Sequence, residues 1–251
     1  MAGLLAIDVG NTQTVFGLFD GAELREHWRV STEPERTGDE VGLLLRGLVD
    51  LGSLDGLALS CTVPPLVRAY EELAEREGVS LVVLGPGTRS GIPLRYDDPR
   101  EVGPDRIANA VAAVERHGAP CIVVDFGTST NFDVVSAQGE YVGGVLAPGI
   151  EISMDALAAR AARLFRVDFS APETVIAKNT AASLQSGLVY GFAGQVDGIV
   201  ERIRGELGQE AQTVATGGMA DLIVPHARTL EKIDPFLTLE GVRLIWERNR
   251  A

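Results

Sequence analysis

The chain has 251 residues, 45% hydrophobic and 23% charged, enough apolar material for sizeable cores and too little charge for global disorder. A formal net charge of −13 excludes the basic footprint of a nucleic-acid binder. No run approaches the roughly 20 apolar residues of a membrane span, and MAGLLAIDVG does not read as a signal peptide, so a cytoplasmic protein is expected.

In chain order, apolar runs predict strands at 3–9, 14–19 and 22–30, with Asp20-Gly21 as a hairpin turn. Val41, Leu44, Leu45 and Leu48 give a helix over 38–50. A strand at 56–61, a helix at 64–77 opened by Pro64 and Pro65, and a strand at 79–84 follow. Residues 85–103 (GPGTRSGIPLRYDDPREVG) carry neither periodicity, and loops of that length are usually functional. A helix over 104–117 leads to strands at 119–125, 130–136 and 140–147, helices at 150–164 and 179–207, a strand at 211–215 and a helix at 236–249. Cys61 and Cys121 lie in apolar runs and read as buried small residues, without a disulfide or zinc pattern.

One phrase occurs twice. IDVGNTQTVFGLFD (7–20) and VDFGTSTNFDVVSA (124–137) are each an apolar strand ending in Asp, a Gly two residues later, a small polar cluster and a second apolar run. Two such copies, nearly half a chain apart, predict two similar α/β lobes, 1–117 and 118–251, with an acidic Gly-rich turn from each at a cleft. With no G-x-x-x-x-G-K-[ST] present, and lysine only at 178 and 232, bound phosphates would need amides, hydroxyls and cations. Asp8 suits a hydrated Mg²⁺, which takes one or two carboxylates plus phosphate oxygens. Gly10 allows close backbone approach, and Asn11 and Thr12 add donors. The alternative is a tight turn whose Asp and Asn cap the backbone. Asp125 offers a second cation ligand, ahead of Thr128, Ser129 and Thr130.

Gly103-Pro104-Asp105-Arg106 opens a helix. Asp105 is either a first-turn residue favoured by the helix dipole or a general base for a substrate hydroxyl, with Arg106 able to hold an anionic group. Gly143-Gly144 through Pro148-Gly149, and Thr216-Gly217-Gly218, each either turn the chain or let backbone pass close to a nucleotide. Asn179 and Thr180 sit at a helix start, where either could serve as the cap.

Taken together, Asp8-x-Gly10-Asn11-Thr12, Gly103-x-Asp105-Arg106, Asp125-x-Gly127-Thr128, Gly143-Gly144…Pro148-Gly149, Asn179-Thr180…Ser186-Gly187 and Thr216-Gly217-Gly218 resemble the type III pantothenate kinases, in unbroken order across residues 3–221. That family belongs to the acetate kinase, sugar kinase, Hsp70 and actin superfamily. The resemblance implies duplicated actin/ribonuclease H-like lobes, each a mixed five-stranded sheet flanked by helices, and ATP-dependent phosphorylation of pantothenate, the first step of coenzyme A synthesis. It implies Asp105 as the base, and Asp8, Val9, Gly10, Asn11, Thr12, Gln13, Thr14, Val15 and Thr128 around the ATP phosphates. Asp8 would help place Mg²⁺ and Asp125 would bind K⁺ or NH₄⁺. Pantothenate would meet Tyr96, Gly103, Pro104, Asp105 and Arg106, with Thr180 reaching it from the partner of a homodimer. Three positions depart from the family's usual pattern: Asp98 in place of Asn, Ser129-Thr130-Asn131 in the second turn, and Leu164-Phe165 in place of Leu-Pro.

Overall fold

The repeated phrase folds into the same topology twice. In the computed structural model, which describes residues 3–250, the first sheet comprises β1 (Gly3–Val9), β2 (Gln13–Asp20), β3 (Glu23–Ser31), β4 (Leu54–Cys61) and β5 (Leu81–Val83), ordered β3-β2-β1-β4-β5. The second comprises β6 (Cys121–Phe126), β7 (Ser129–Val135), β8 (Tyr141–Pro148), β9 (Gln212–Thr216) and β10 (Lys232–Ile233), ordered β10-β9-β6-β7-β8. In each, the central strand pairs antiparallel with the next strand and parallel with the fourth. Both sheets are mixed and five-stranded, as expected.

Burial explains the strands. β1 is apolar at nearly every position because both of its faces are covered. β3 (ELREHWRVS) is an edge strand whose charged, largely exposed residues discourage further pairing. In the first unit, Leu5, Ile7, Val9, Phe16, Leu57 and Leu59 pack with residues of α1 (Gly38–Leu48) and α2 (Pro64–Glu77). α1 begins with a capping box: Thr37 Oγ1 accepts from the Glu40 N–H and Glu40 Oε2 accepts from the Thr37 N–H at 2.8 Å. α2 ends on Gly78, whose left-handed φ of 66° suits glycine. In the second unit, Ile122, Val124, Phe126, Phe132 and Val134 pack with Val189, Ala193, Val196, Val200 and Ile203 of α5 (Thr180–Leu207).

The compact units do not divide at residue 117. One runs to Ala112 and resumes at Phe236; the other is Ala113–Pro235. The division falls inside α3 (Pro104–His117), and α7 (Leu237–Asn249), assigned to the second lobe by chain order, packs on β1, β2 and β4 of the first. Its buried Leu237, Leu239, Val242, Ile245 and Trp246 supply that contact. Close approach at Gly241 completes it, since a Cβ there would overlap the Ala108 backbone of α3.

Two smaller differences have local causes. α4 (Ile150–Arg160) stops short of residue 164 because it buries only Ile150 and Met154, and Ala161 turns extended. β10 is a two-residue exposed edge, too short to leave a periodicity. A further single turn, α6 (Ala220–Ile223), lies between β9 and β10. Cys121 is buried as expected, whereas Cys61, at the end of β4, is only half-buried; burial pushes Cys61 up to about 11 and Cys121 up to about 12.

Candidate active site

In each sheet the parallel strands end on one edge, where open α/β sheets commonly bind ligands. From that edge of the first sheet leave the 10–12 turn after β1, residues 62–63 after β4 and the long segment after β5. Asp8 lies one residue before the end of β1, opposite Ser60 of β4. The Ser60 hydroxyl, fully buried, donates to Asp8 Oδ1 at 2.8 Å.

The turn that follows is braced through its carbonyls. Val9 O accepts from the Thr62 N–H at 2.9 Å and from its hydroxyl at 3.1 Å; Gly10 O accepts from the Thr32 hydroxyl at 2.8 Å; Thr12 O accepts from the Thr32 N–H at 2.9 Å. The Gly10 N–H donates to Gln13 O at 3.0 Å. Asn11, Thr12 and Gln13 are exposed, whereas Thr14 is buried with its hydroxyl 2.9 Å from that of Thr32. Thr14 therefore stiffens the turn from inside. Sequence reading overlooked Ser60, Thr32 and Thr62 because each acts across the sheet and none lies in a recognisable motif.

The second turn is enclosed by glycines. The Gly127 N–H donates to Ser129 O at 3.0 Å, and the Gly149 N–H to Thr128 O at 3.2 Å. A Cβ at Gly149 would overlap the backbone of Gly127 and Thr128. Gly217, at φ +89°, lies hard against Asp125: a Cβ there would sit 2.5 Å from Asp125 Oδ1 and 2.6 Å from the Phe126 backbone. Both glycine motifs left open by the sequence thus serve close approach to this turn. Of its three hydroxyl residues only Thr128 is exposed; Ser129 donates to Asn131 Oδ1 at 2.7 Å and Thr130 is buried.

Asp105 occupies the first turn of α3. It is partly buried, its Oδ1 is sealed from solvent, and a Cβ on Gly103 would overlap that oxygen. Burial raises its pKa above the ordinary carboxylate value, against the lowering effects of the Arg106 N–H and guanidinium charge. Arg106 is itself buried, and a turn further on Asn109 Oδ1 accepts from the Thr238 hydroxyl of α7 at 2.7 Å.

The 85–103 segment carries Tyr96, partly buried, and a single 3₁₀ turn, Pro99–Glu101. Asp98 caps that turn by accepting from the Arg100 N–H at 3.0 Å, and its oxygens accept from the Arg100 guanidinium at 2.9 and 2.8 Å. The hydrogen bonds to Arg100 hold this carboxyl below its usual value. The departure at Asp98 is therefore charge-compensated within two residues. Under the segment lies a hollow of about 250 Å³ walled by Leu84, Leu94, Val102, Pro104, Ile107 and Ile245.

Thr180 is the exposed first residue of α5, in the second unit; the cap is Asn179, whose Oδ1 accepts from the Ala182 N–H at 2.9 Å. Among the described residues no three His, Cys, Asp or Glu side chains gather as a metal site. Asp8, a single carboxylate oriented by Ser60, fits a cation such as Mg²⁺ that draws most of its ligands from water and phosphate.

A family model described as type III pantothenate kinase matches residues 4–202. Curated proteins named type III pantothenate kinase from Frankia alni and Acidothermus cellulolyticus are each 54% identical over 248 and 252 residues, covering 98% of this chain and 99% and 98% of theirs. One of the same name from Moorella thermoacetica is 51% identical over 252 residues, covering 98% of this chain and 99% of its own. Among solved structures, an inorganic polyphosphate/ATP-glucomannokinase from an Arthrobacter strain aligns with a TM-score of 0.54 at 18% identity, over 99% of this chain and 100% of its own. An ethanolamine utilization protein from Carboxydothermus hydrogenoformans aligns with a TM-score of 0.59 at 17% identity, over 98% and 90%. These two likenesses bear on the fold alone.

Proposed function

Because the chain belongs to the type III pantothenate kinase family, we propose that it phosphorylates pantothenate at the expense of ATP, in the synthesis of coenzyme A, with Asp105 as general base. The substrate's primary hydroxyl oxygen bonds to the γ-phosphorus, the bond from that phosphorus to ADP breaks, and the hydroxyl proton passes to a carboxylate oxygen of Asp105. The position of this partly buried carboxylate in the first turn of α3, beside Arg106, supports its role, and burial makes it a stronger base than an ordinary carboxylate. Phosphoryl transfer otherwise needs alignment and charge stabilisation.

Asp8, Gly10, Asn11, Thr12, Gln13 and Val15, with Thr128, form the ATP-phosphate contacts in this reading, and buried Val9 and Thr14 hold the turn from behind rather than meeting phosphate. Asp8 holds hydrated Mg²⁺, and Asp125 a monovalent cation, K⁺ or NH₄⁺. These cations supply the positive charge that a P-loop lysine gives elsewhere. Tyr96, Gly103, Pro104 and Arg106 hold pantothenate, Arg106 through the substrate carboxylate. Thr180 reaches the pantothenate of a partner subunit. Homodimerisation is in keeping with exposed apolar side chains in the second unit, Leu146 on the edge strand β8 and Ile152 and Leu157 on α4, 63%, 46% and 44% exposed. No helix among the described residues is long and apolar enough to cross a membrane, in keeping with a cytoplasmic enzyme.

The test is a coupled assay with ATP, Mg²⁺ and pantothenate, with and without K⁺ or NH₄⁺. Pantothenate-dependent ADP release that rises with the monovalent cation is expected. ATP hydrolysis indifferent to pantothenate would overturn the reading.

A further inference from the structure

The 85–103 segment is fastened to a helix 160 residues further along the chain. The Asn249 carboxamide bonds both backbone groups of Arg89: its Oδ1 accepts from the N–H at 3.0 Å and its Nδ2 donates to the carbonyl at 3.0 Å. The same Nδ2 donates to the Ile245 carbonyl at 2.7 Å, which ties the clamp to α7 itself. The neighbouring Arg248 donates from its guanidinium to the Ser90 carbonyl. It also fills the space that a Cβ on Gly91 would take, and Gly91 sits at φ +84°. Two adjacent side chains of α7 thus hold three consecutive loop residues.

Past the clamp, the loop spans the 250 Å³ hollow and rejoins packed structure at Val102 and Pro104. The stretch that includes Tyr96 runs past this hollow between two fastened ends. One end is the start of α3, which bears Asp105. The other is Asn249 and Arg248.

We propose that Asn249 and Arg248 are positioning residues for pantothenate: without touching it, they set where Tyr96 stands. This rests on the reading that the 85–103 loop receives pantothenate. Its signature is an effect on one substrate only. In the full-length protein, Asn249→Ala should raise KM for pantothenate about tenfold, the order expected from two lost neutral hydrogen bonds, while kcat and KM for ATP stay within twofold. Arg248→Ala should move KM for pantothenate in the same direction. Arg250→Ala is the control, since Arg250 stacks over Trp246 in the same turn, 5.0 Å from the ring centroid, and all three parameters should hold.

An unchanged pantothenate KM in Asn249→Ala, or a parallel rise in KM for ATP, would overturn the inference. Tyr96→Ala and Arg106→Ala separate this from the parent reading. If they raise KM for pantothenate and Asn249→Ala does not, only the clamp is refuted. If they leave it unaltered too, the loop does not receive pantothenate, and both ideas fall.

Discussion

Gly103→Ala perturbs Asp105 while leaving the carboxylate in the chain. Gly103 precedes α3, and its carbonyl accepts from the Ile107 N–H at 3.1 Å, a bond that alanine can also make. The added methyl would overlap Asp105 Oδ1; its next neighbours are Asp105 Cγ at 3.5 Å and Arg106 Cγ at 3.8 Å, ordinary contacts. Only the carboxylate is in the way, so relief requires it to shift, and a displacement on the order of 1 Å at a reacting group costs about 10²-fold in rate. The effect on stability should be small. Alanine is the poorer helix cap by about 1 kcal/mol, but its smaller unfolded-state entropy returns about 0.4–1 kcal/mol. The assay is ADP release at saturating ATP and pantothenate, alongside a thermal melt. A kcat within threefold of the parent at an unchanged Tm would mean that the position of Asp105 does not govern the chemistry.

Asp105→Asn should lower kcat by about 10²–10⁴-fold. Because burial raises this pKa, the folded state keeps its proton to higher pH than the unfolded state. Stability therefore falls as pH rises from the ordinary carboxylate value through the folded one, and the ionised form is the destabilised one. Asn at this position should accordingly raise Tm at pH 7, and the acidic limb of the parent's rate profile should lie above the ordinary carboxylate range; a lowered Tm contradicts that sign. Ser60→Ala removes the donor to Asp8 Oδ1 and should raise the Mg²⁺ concentration for half-maximal MgATP binding by about 10–100-fold. Calorimetric titration checks this, and an unshifted Mg²⁺ dependence refutes it. Gly217→Ala drives a methyl against Asp125 from a left-handed backbone position and should abolish activation by K⁺; activation persisting at the parental K⁺ concentration would detach Asp125 from that cation.

Much of the fold was legible because its signals are local. The doubled Asp-x-Gly phrase, the Asp20-Gly21 hairpin and the apolar spacing of Val41, Leu44, Leu45 and Leu48 in α1 are each readable within a few residues. The destination of α7 was not, since its apolar face would fit either sheet. What selects the first is the fit of Gly241 against Ala108, a relation between residues 133 apart that leaves no periodic trace. The candidate site divides the same way. Its acids are announced by motif, whereas Ser60, which orients Asp8, and Thr32 and Thr62, which brace the turn after it, are ordinary hydroxyl residues whose role exists only once β1 to β4 have paired into one sheet. The glycines at 149 and 217 were visible as punctuation. Their purpose, to leave room beside Asp125 and Thr128, needed the sheet.

The placement of α7 has a consequence for biogenesis. The first unit is interrupted in sequence: the ribosome delivers α7 only after making all of Ala113–Pro235. The second unit, continuous in the chain, can close on itself while the first still exposes the apolar side of β1 and β4 that awaits its cover. Nascent enzyme must therefore pass through a stage in which one half is native and the other is adhesive, and chaperone capture should concentrate there.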